Sequence, residues 1–252
     1  MDTCAVASLL YCCETWATCT FTKLEALYRK GIKYALSIRA STNNEIIYLE
    51  SNRVPLSVQI TKRQLLFWKT LQKHFRSNPE NPLKKLIDKA ELVNLKYINH
   101  YKNLSNIYDS PKHCQDTLID TFRVTNTSKI RTKATSDPDS KLGAYLKVNT
   151  ELINVNCHNL YEPDRVIISR YRTGSHNLLV ETGRMCNPII PRADRICSCG
   201  AEIQTVEHCL LRCSMLHELR TTYTFDSVST AFDNPNIAKY LLQMEKILKV
   251  RK

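Results

Sequence analysis

The sequence predicts a mainly α-helical fold, and three observations carry that expectation. Apolar residues recur at helical spacing over most of the 252-residue chain, as they do on helices that bury one stripe. Polar and proline-rich breaks punctuate the periodic segments. Near the C-terminus, cysteines and a histidine crowd between Cys197 and Cys213, a pattern that lets a small helical unit form around a metal ion.

Residues 5–39 form the first helical region. Ala5, Leu9, Leu10 and Cys13 share one stripe, and Leu24, Leu27, Ile32 and Leu36 share another. Thr20 or Thr22 suits the cap, with Arg29, Lys30 and Lys33 on the solvated side. Ser41 to Asn44 reads as a turn, Glu45 to Glu50 as a short apolar segment, and Pro55 lies at the approach to the next helix. Val58 to Phe75 is a basic amphipathic helix offering Ile60, Leu65, Leu66, Trp68 and Leu71 for packing. The stretch from Ser77 to Pro82 carries two prolines and reads as a linker. Pro82 to Tyr108 is helical again, with Leu83, Leu86 and Ile87 on one stripe. Thr125 to Ser140 is polar and basic, and is expected to be a boundary or mobile segment. A compact unit follows from Lys141 to about Asp226. The tail from Ile237 to Val250 presents Ile237, Leu241, Met244 and Leu248 as a helix capping the core. Three regions are therefore expected, at 1–76, 77–140 and 141–252.

The formal charge of +12 points to an anionic partner, nucleic acid or an acidic membrane surface, although a solubilising surface accounts for it equally. No apolar run reaches the roughly 20 residues that span a bilayer. The N-terminus lacks a basic region followed by a long apolar stretch, so secretion is not expected. The eleven cysteines are then free thiols or metal ligands rather than a disulfide framework. The five glycines speak against a glycine-rich nucleotide-binding architecture, and neither a P-loop nor a dinucleotide fingerprint is present.

Cys197 and Cys199 flank a single residue and precede Gly200, whose freedom at positive φ permits a tight turn with both sulfurs facing one point. His208 and Cys213 follow across an apolar helical turn containing Leu210 and Leu211. Three thiolates and one imidazole make a closed Cys3His tetrahedron suited to structural zinc. Cys209 is a rival ligand, one helical turn from Cys213 on the same face; the bland alternative is a set of buried free thiols. Cys4, Cys12, Cys13 and Cys19 have no histidine nearby and read as core. His113 beside Cys114 and Cys157 beside His158 are isolated pairs.

Arg165, Arg170, Arg172, Arg184, Arg192 and Arg195 crowd the approach to this cluster, and guanidinium forks suit phosphate. Tyr171 between two arginines, together with His176, offers stacking surfaces for unpaired bases. Internal pairing with Glu162, Asp164, Glu181 or Asp194 is the competing fate of these arginines. Lys62, Arg63, Lys69, Lys73 and Arg76 form a second basic face, equally explained as solvated surface.

The stretch Arg165–Arg184, then Pro188, Pro191 and the run into Cys197, resembles the region before the terminal zinc knuckle of LINE-type (non-LTR) retrotransposon polyproteins. Arg172, Ser175, His176, Glu181, Gly183 and Arg184 stand at the matching positions, followed by Cys197, Cys199, His208 and Cys213. The segment Leu9–Trp16 resembles the tyrosine-glycine-x-glutamate-x-tryptophan helix after the polymerase palm, with Cys12 where the family has glycine. Arg53–Ser57 resembles its proline-leucine-serine segment. The resemblance implies a thumb-like helical N-terminal part, a zinc-knuckle C-terminal part, a role in holding RNA or DNA, and an intracellular ribonucleoprotein in nucleus or cytoplasm. It also implies that the chain corresponds to the region after the palm. The chain has no adjacent pair of aspartates, whereas two-metal phosphoryl transfer needs converging carboxylates; no polymerase or nuclease activity is expected of it. A Cys–His hydrolase is not expected either, because the adjacent side chains of Cys157 and His158 diverge. The contrasting hypothesis is a retroelement remnant acting as a structural or protein-interaction module.

Overall fold

The computed structural model describes residues 6–16, 21–93, 96–107, 114–153 and 161–248. The fold is mainly helical, as expected, and among the described residues the only β-pairing is an isolated antiparallel bridge between Ile196 and Ile203. The chain divides into two compact units, one of Met1–Tyr28 with Val54–Thr125 and the other of Arg29–Arg53 with Asn126–Lys252. The expected divisions near residues 76 and 140 do not coincide with these.

The first unit contains α1 (Ala7–Leu9), α2 (Cys13–Trp16) and the start of α3 (Thr22–Ala35). Of the four N-terminal cysteines read as core, Cys13 is fully buried and Cys12 is exposed; Cys4 and Cys19 lie outside the described residues. After α4 (Asn44–Glu50), which belongs to the other unit, come α5 (Leu56–Ser77), α6 (Pro82–Leu92), α7 (Lys96–Ile107) and the start of α8 (Cys114–Ser136). Pro55 precedes α5, where its fixed φ and missing N–H cost nothing. Trp68 of α5 stacks on Tyr101 of α7, with ring centroids 5.1 Å apart, and the Tyr101 hydroxyl donates to the Glu14 carbonyl. Arg63, expected on a solvated face, instead donates to the Leu10 carbonyl at 3.0 Å. The stripe expected on α6 is corrected. Ile87 and Ala90 pack on the Trp68–Tyr101 cluster, which turns Leu83 (45% exposed) and Leu86 (62%) outward. Leu66 on α5 is likewise 42% exposed.

In the second unit, Asn43 caps α4 by accepting the Glu45 N–H at 2.8 Å. Ile46 and Leu49 of α4 pack with Ile130 and Ala134 of α8 and with Leu142 and Tyr145 of α9 (Lys141–Val148). The polar stretch Thr125–Ser140, expected to be a boundary or mobile, is thus mostly the end of a 23-residue helix. Two buried side chains suffice to dock it, since burying an isoleucine such as Ile130 stabilises by about 1.5–3 kcal/mol. Lys33 is also corrected: it is nearly buried, its Nζ donating to the Ala40 carbonyl at 2.7 Å.

The larger core joins α10 (Glu162–Arg172), α11 (Leu179–Thr182), α12 (Val206–Leu211), α13 (His217–Thr222), α14 (Val228–Asp233) and α15 (Ile237–Ile247). The apolar stripe of the tail helix is buried as its spacing required: Ile237, Leu241, Met244 and Leu248 all lie in this core. Tyr240 fixes the helix against α12 by donating to the Cys209 carbonyl at 2.8 Å. No described helix is long and apolar enough to cross a membrane.

Candidate metal centre

The cluster is built on a short hairpin. The Gln204 N–H donates to the Arg195 carbonyl at 2.9 Å, and the Cys197 N–H donates to the Glu202 carbonyl at 2.8 Å. These bonds flank the Ile196–Ile203 bridge and leave Cys197 to Glu202 as a tight loop. Gly200 sits at φ +79° in this turn, a conformation other residues adopt only at a cost of roughly 1 kcal/mol. Thr205 then caps α12, its hydroxyl accepting the His208 N–H at 3.0 Å, which places His208 in the first turn of the helix. At the far end both the Arg212 and Cys213 N–H groups donate to the His208 carbonyl. The chain thereby turns back and presents Cys213 beside the loop, where Arg220 donates to its carbonyl.

The ligand atoms of Cys197, Cys199, His208 and Cys213 all lie within 4.8 Å of one another. The Cys197 and Cys213 sulfurs are 3.7 Å apart, and the Cys199 sulfur is 3.2 Å from His208 Nε2. Cys197, His208 and Cys213 are buried and Cys199 is half-buried. This group could hold a metal ion. Cys209, the rival from spacing alone, is not in the group; its buried side chain lies beside Cys197, to which it is hydrogen-bonded. That bond, helped by the Cys199 amide, holds the Cys197 thiol down to about 4 against the opposing effect of burial. Burial, with Cys197 beside it, pushes Cys213 up to about 12.

A charged layer lies behind the histidine. His208 Nδ1 is buried, makes no hydrogen bond, and sits 3.4 Å from a Glu202 carboxylate oxygen. Arg212 Nε donates to both Glu202 oxygens at 3.1 and 3.2 Å, and Arg212 also pairs with Glu207 at 3.0 Å. Lys147 completes the chain of charges on Glu207 at 2.8 Å. Arg212 holds the Glu202 carboxyl below its usual range, and Lys147, then Arg212, does the same for Glu207. With Nε2 on a metal, Nδ1 carries the ring proton and Glu202 is the natural acceptor, the arrangement that orients metal-bound histidines. Glu202 went unnoticed in the sequence, where nothing distinguishes it from any other acidic residue of a turn.

Four of the eight residues expected to meet nucleic acid are consumed inside the fold, and that expectation is corrected for them. Arg172 is buried and its Nε donates to both Glu50 oxygens at 2.9 and 3.2 Å; Tyr145 donates to the same carboxylate at 2.8 Å. Tyr171 is 2% exposed, donates to Glu245 at 3.0 Å, and stacks on His176 at 4.9 Å. His176 is 4% exposed, so neither ring offers a face to a base. Arg195 is 5% exposed and clamps the chain by donating to the carbonyls of Val180 and Ile190. Gly183 makes room for that clamp, because a Cβ there would lie 2.7 Å from Arg195 Nε. Ser175 likewise bonds Thr42 at 2.8 Å and accepts the Arg39 N–H at 3.2 Å.

The other four remain at the surface. Arg165 donates to the Ala35 carbonyl at 2.7 Å and Arg170 to the Ser37 carbonyl at 3.0 Å. Arg184 stands 3.7 Å from Glu181, and Arg192 pairs with Asp139 at 2.6 Å. Cys157, His158 and His113 lie outside the described residues.

No protein-family model, curated protein or solved structure matches this chain.

Proposed function

We propose that this chain is a zinc-stabilised, nucleic-acid-binding region of a non-LTR retrotransposon reverse transcriptase polyprotein, without polymerase activity of its own. The observation that carries the reading is the convergence of Cys197, Cys199, His208 and Cys213 on one point, directly after the arginine-rich stretch that resembles the family. Thiolates about 2.3 Å from a tetrahedral zinc stand about 3.8 Å apart, close to the 3.7 Å between Cys197 and Cys213. The Cys199–His208 edge, at 3.2 Å, opens by roughly 0.4 Å to reach the corresponding thiolate–imidazole spacing. Three sulfurs and one nitrogen favour zinc over magnesium or calcium. Four protein ligands leave no place for a reactive water, so the ion serves the fold rather than chemistry. The buried, unbonded Nδ1 of His208 beside Glu202 supports the same assignment.

The nucleic-acid part of the reading rests on the net charge of +12 and on Arg165, Arg170, Arg184 and Arg192, of which Arg170 is exposed and the other three are half-buried. The test has two arms. Purified chain carries about one zinc, and Cys197→Ser or Cys213→Ser releases it and loosens the second unit; metal-free protein with unchanged folding defeats the zinc assignment. Single-stranded RNA or DNA binds with an affinity that falls linearly on a log–log salt plot, by about 0.7 in slope per phosphate contact. Replacing Arg165 and Arg170 by glutamine makes that slope less negative by about 1.4. Absence of binding at low salt defeats this arm.

A second reading, a retroelement remnant serving as a protein-interaction module, draws on α6, where Leu86 and Leu92 are 62% and 85% exposed. Exposed apolar side chains in such numbers mark contact surfaces. Concentration-dependent association without nucleic-acid affinity favours it.

A further inference from the structure

A cleft of about 90 Å³ opens in the second unit, walled by α9, by the segment from Arg172 to Arg184 and by the start of α12. Its size decides its class of occupant. It exceeds the roughly 10–15 Å³ a single water needs and falls well short of the roughly 300–1,000 Å³ of a drug-sized site. An ion of a few heavy atoms fits.

The walls are basic. Lys141, Lys147, Arg184 and Arg192 line the cleft against Asp139, Glu181 and Glu207. Glu181 is shared between Lys141 at 3.2 Å and Arg184 at 3.7 Å, and Arg39 acts on it as well. Three cations around one carboxylate leave a positive remainder where His176 meets the cleft. His176 supplies a second, independent sign of a ligand. Its Nδ1 accepts the Leu178 N–H at 3.3 Å, so in the neutral ring the proton resides on Nε2. Among the described residues that N–H meets no acceptor, and the side chain, otherwise 4% exposed, lines the cleft. Burial, then the fields of Arg39, Lys141 and Arg184, push His176 down to about 3, which keeps the ring neutral and the donor in place.

We propose that this cleft binds a phosphate group, its oxygens taken by Lys141 Nζ, the Arg184 guanidinium and the Nε2–H of His176. A tetrahedral oxyanion with three free oxygens matches three donors arriving from separate elements, and charge-assisted bonds to phosphate are the strong ones. The group is either inorganic phosphate or the terminal phosphate of a nucleic-acid strand. The first source does not depend on the function proposed above; the second does.

The experiment titrates inorganic phosphate into the full zinc-loaded chain, following the ¹⁵N resonances of His176 and the heat of binding. Saturable binding is expected, with a shift at Nε2 and little at Nδ1. Lys141→Gln and Arg184→Gln each weaken it by about tenfold or more, while Lys239→Gln, on α15 and exposed, leaves it unchanged. Circular dichroism confirms that each variant stays folded. Two oligonucleotides, 5′-phosphorylated and 5′-hydroxyl, then separate the sources. A preference for the phosphorylated strand that vanishes in Lys141→Gln assigns the terminal phosphate. Equal strand binding with retained inorganic phosphate binding assigns the free ion. Failure of both strands to bind defeats the nucleic-acid reading alone. The proposal is overturned by no saturable binding of inorganic phosphate, by binding indifferent to both substitutions, or by acetate binding as well as phosphate.

Discussion

Arg172→Met separates a structural arginine from a nucleic-acid contact. The Glu50 carboxylate has no exposed side-chain surface and Arg172 has 8%. Removing the guanidinium deletes charge-assisted bonds at 2.9 and 3.2 Å and leaves the Glu50 carboxylate facing the Tyr145 hydroxyl at 2.8 Å. At about 1.5–3 kcal/mol for each bond to a charged group, and with a buried charge left uncompensated, the loss comes to about 3–5 kcal/mol. For a unit of roughly 150 residues, that lowers the melting temperature by about 6–20 °C. Thermal unfolding by circular dichroism reads the shift, and hydrogen exchange at the α10 amides localises it to the second unit. The double substitution Glu50→Leu with Arg172→Met recovers much of the loss, because no lone charge is left buried. Were Arg172→Met to keep its stability and lose nucleic-acid affinity, the residue would be a surface contact and this account would fail.

Other consequences are as definite. Because His176 is held near 3 when folded, against 6.5 unfolded, its contribution is complete above pH 6.5. It is lost as pH falls towards 3, since the unfolded chain then takes up a proton the folded chain refuses, at up to about 1.4 kcal/mol per pH unit. Stability–pH curves of wild type and His176→Phe should therefore differ in slope by one proton in that window; parallel curves would exclude the linkage. Glu202→Gln should lower metal affinity by about 10–100-fold in a chelator competition, and an unchanged affinity would mean that the carboxylate does not support His208. Gly143→Ala drives a Cβ into the Pro138 backbone, with Pro138 Cα 2.7 Å away. It should destabilise by about 1–3 kcal/mol or more in denaturant unfolding, and a neutral result would show that the Pro138 turn yields freely.

Helical periodicity placed most helices and the buried stripe of α15, since one helix needs only its own spacing to choose a face. It failed on α6 and on the end of α8, where the partner element selects the buried side: Ile87 rather than Leu86 meets Trp68, and Ile130 with Ala134 anchors a polar stretch. The ligand set was legible because its four members fall between Cys197 and Cys213, where turn and cap chemistry is local. Spacing could not choose between His208 and Cys209; the orientation of α12, fixed by the Thr205 cap and the Tyr240 bond, keeps Cys209 out of the ligand group. The sequence by itself therefore determined the helical class, the basic charge and the residues competent to bind a metal. Only the tertiary structure decided which arginines were buried. Arg172 meets Glu50 across 122 positions, and whether a guanidinium faces a buried carboxylate or solvent depends on a partner that no local pattern names.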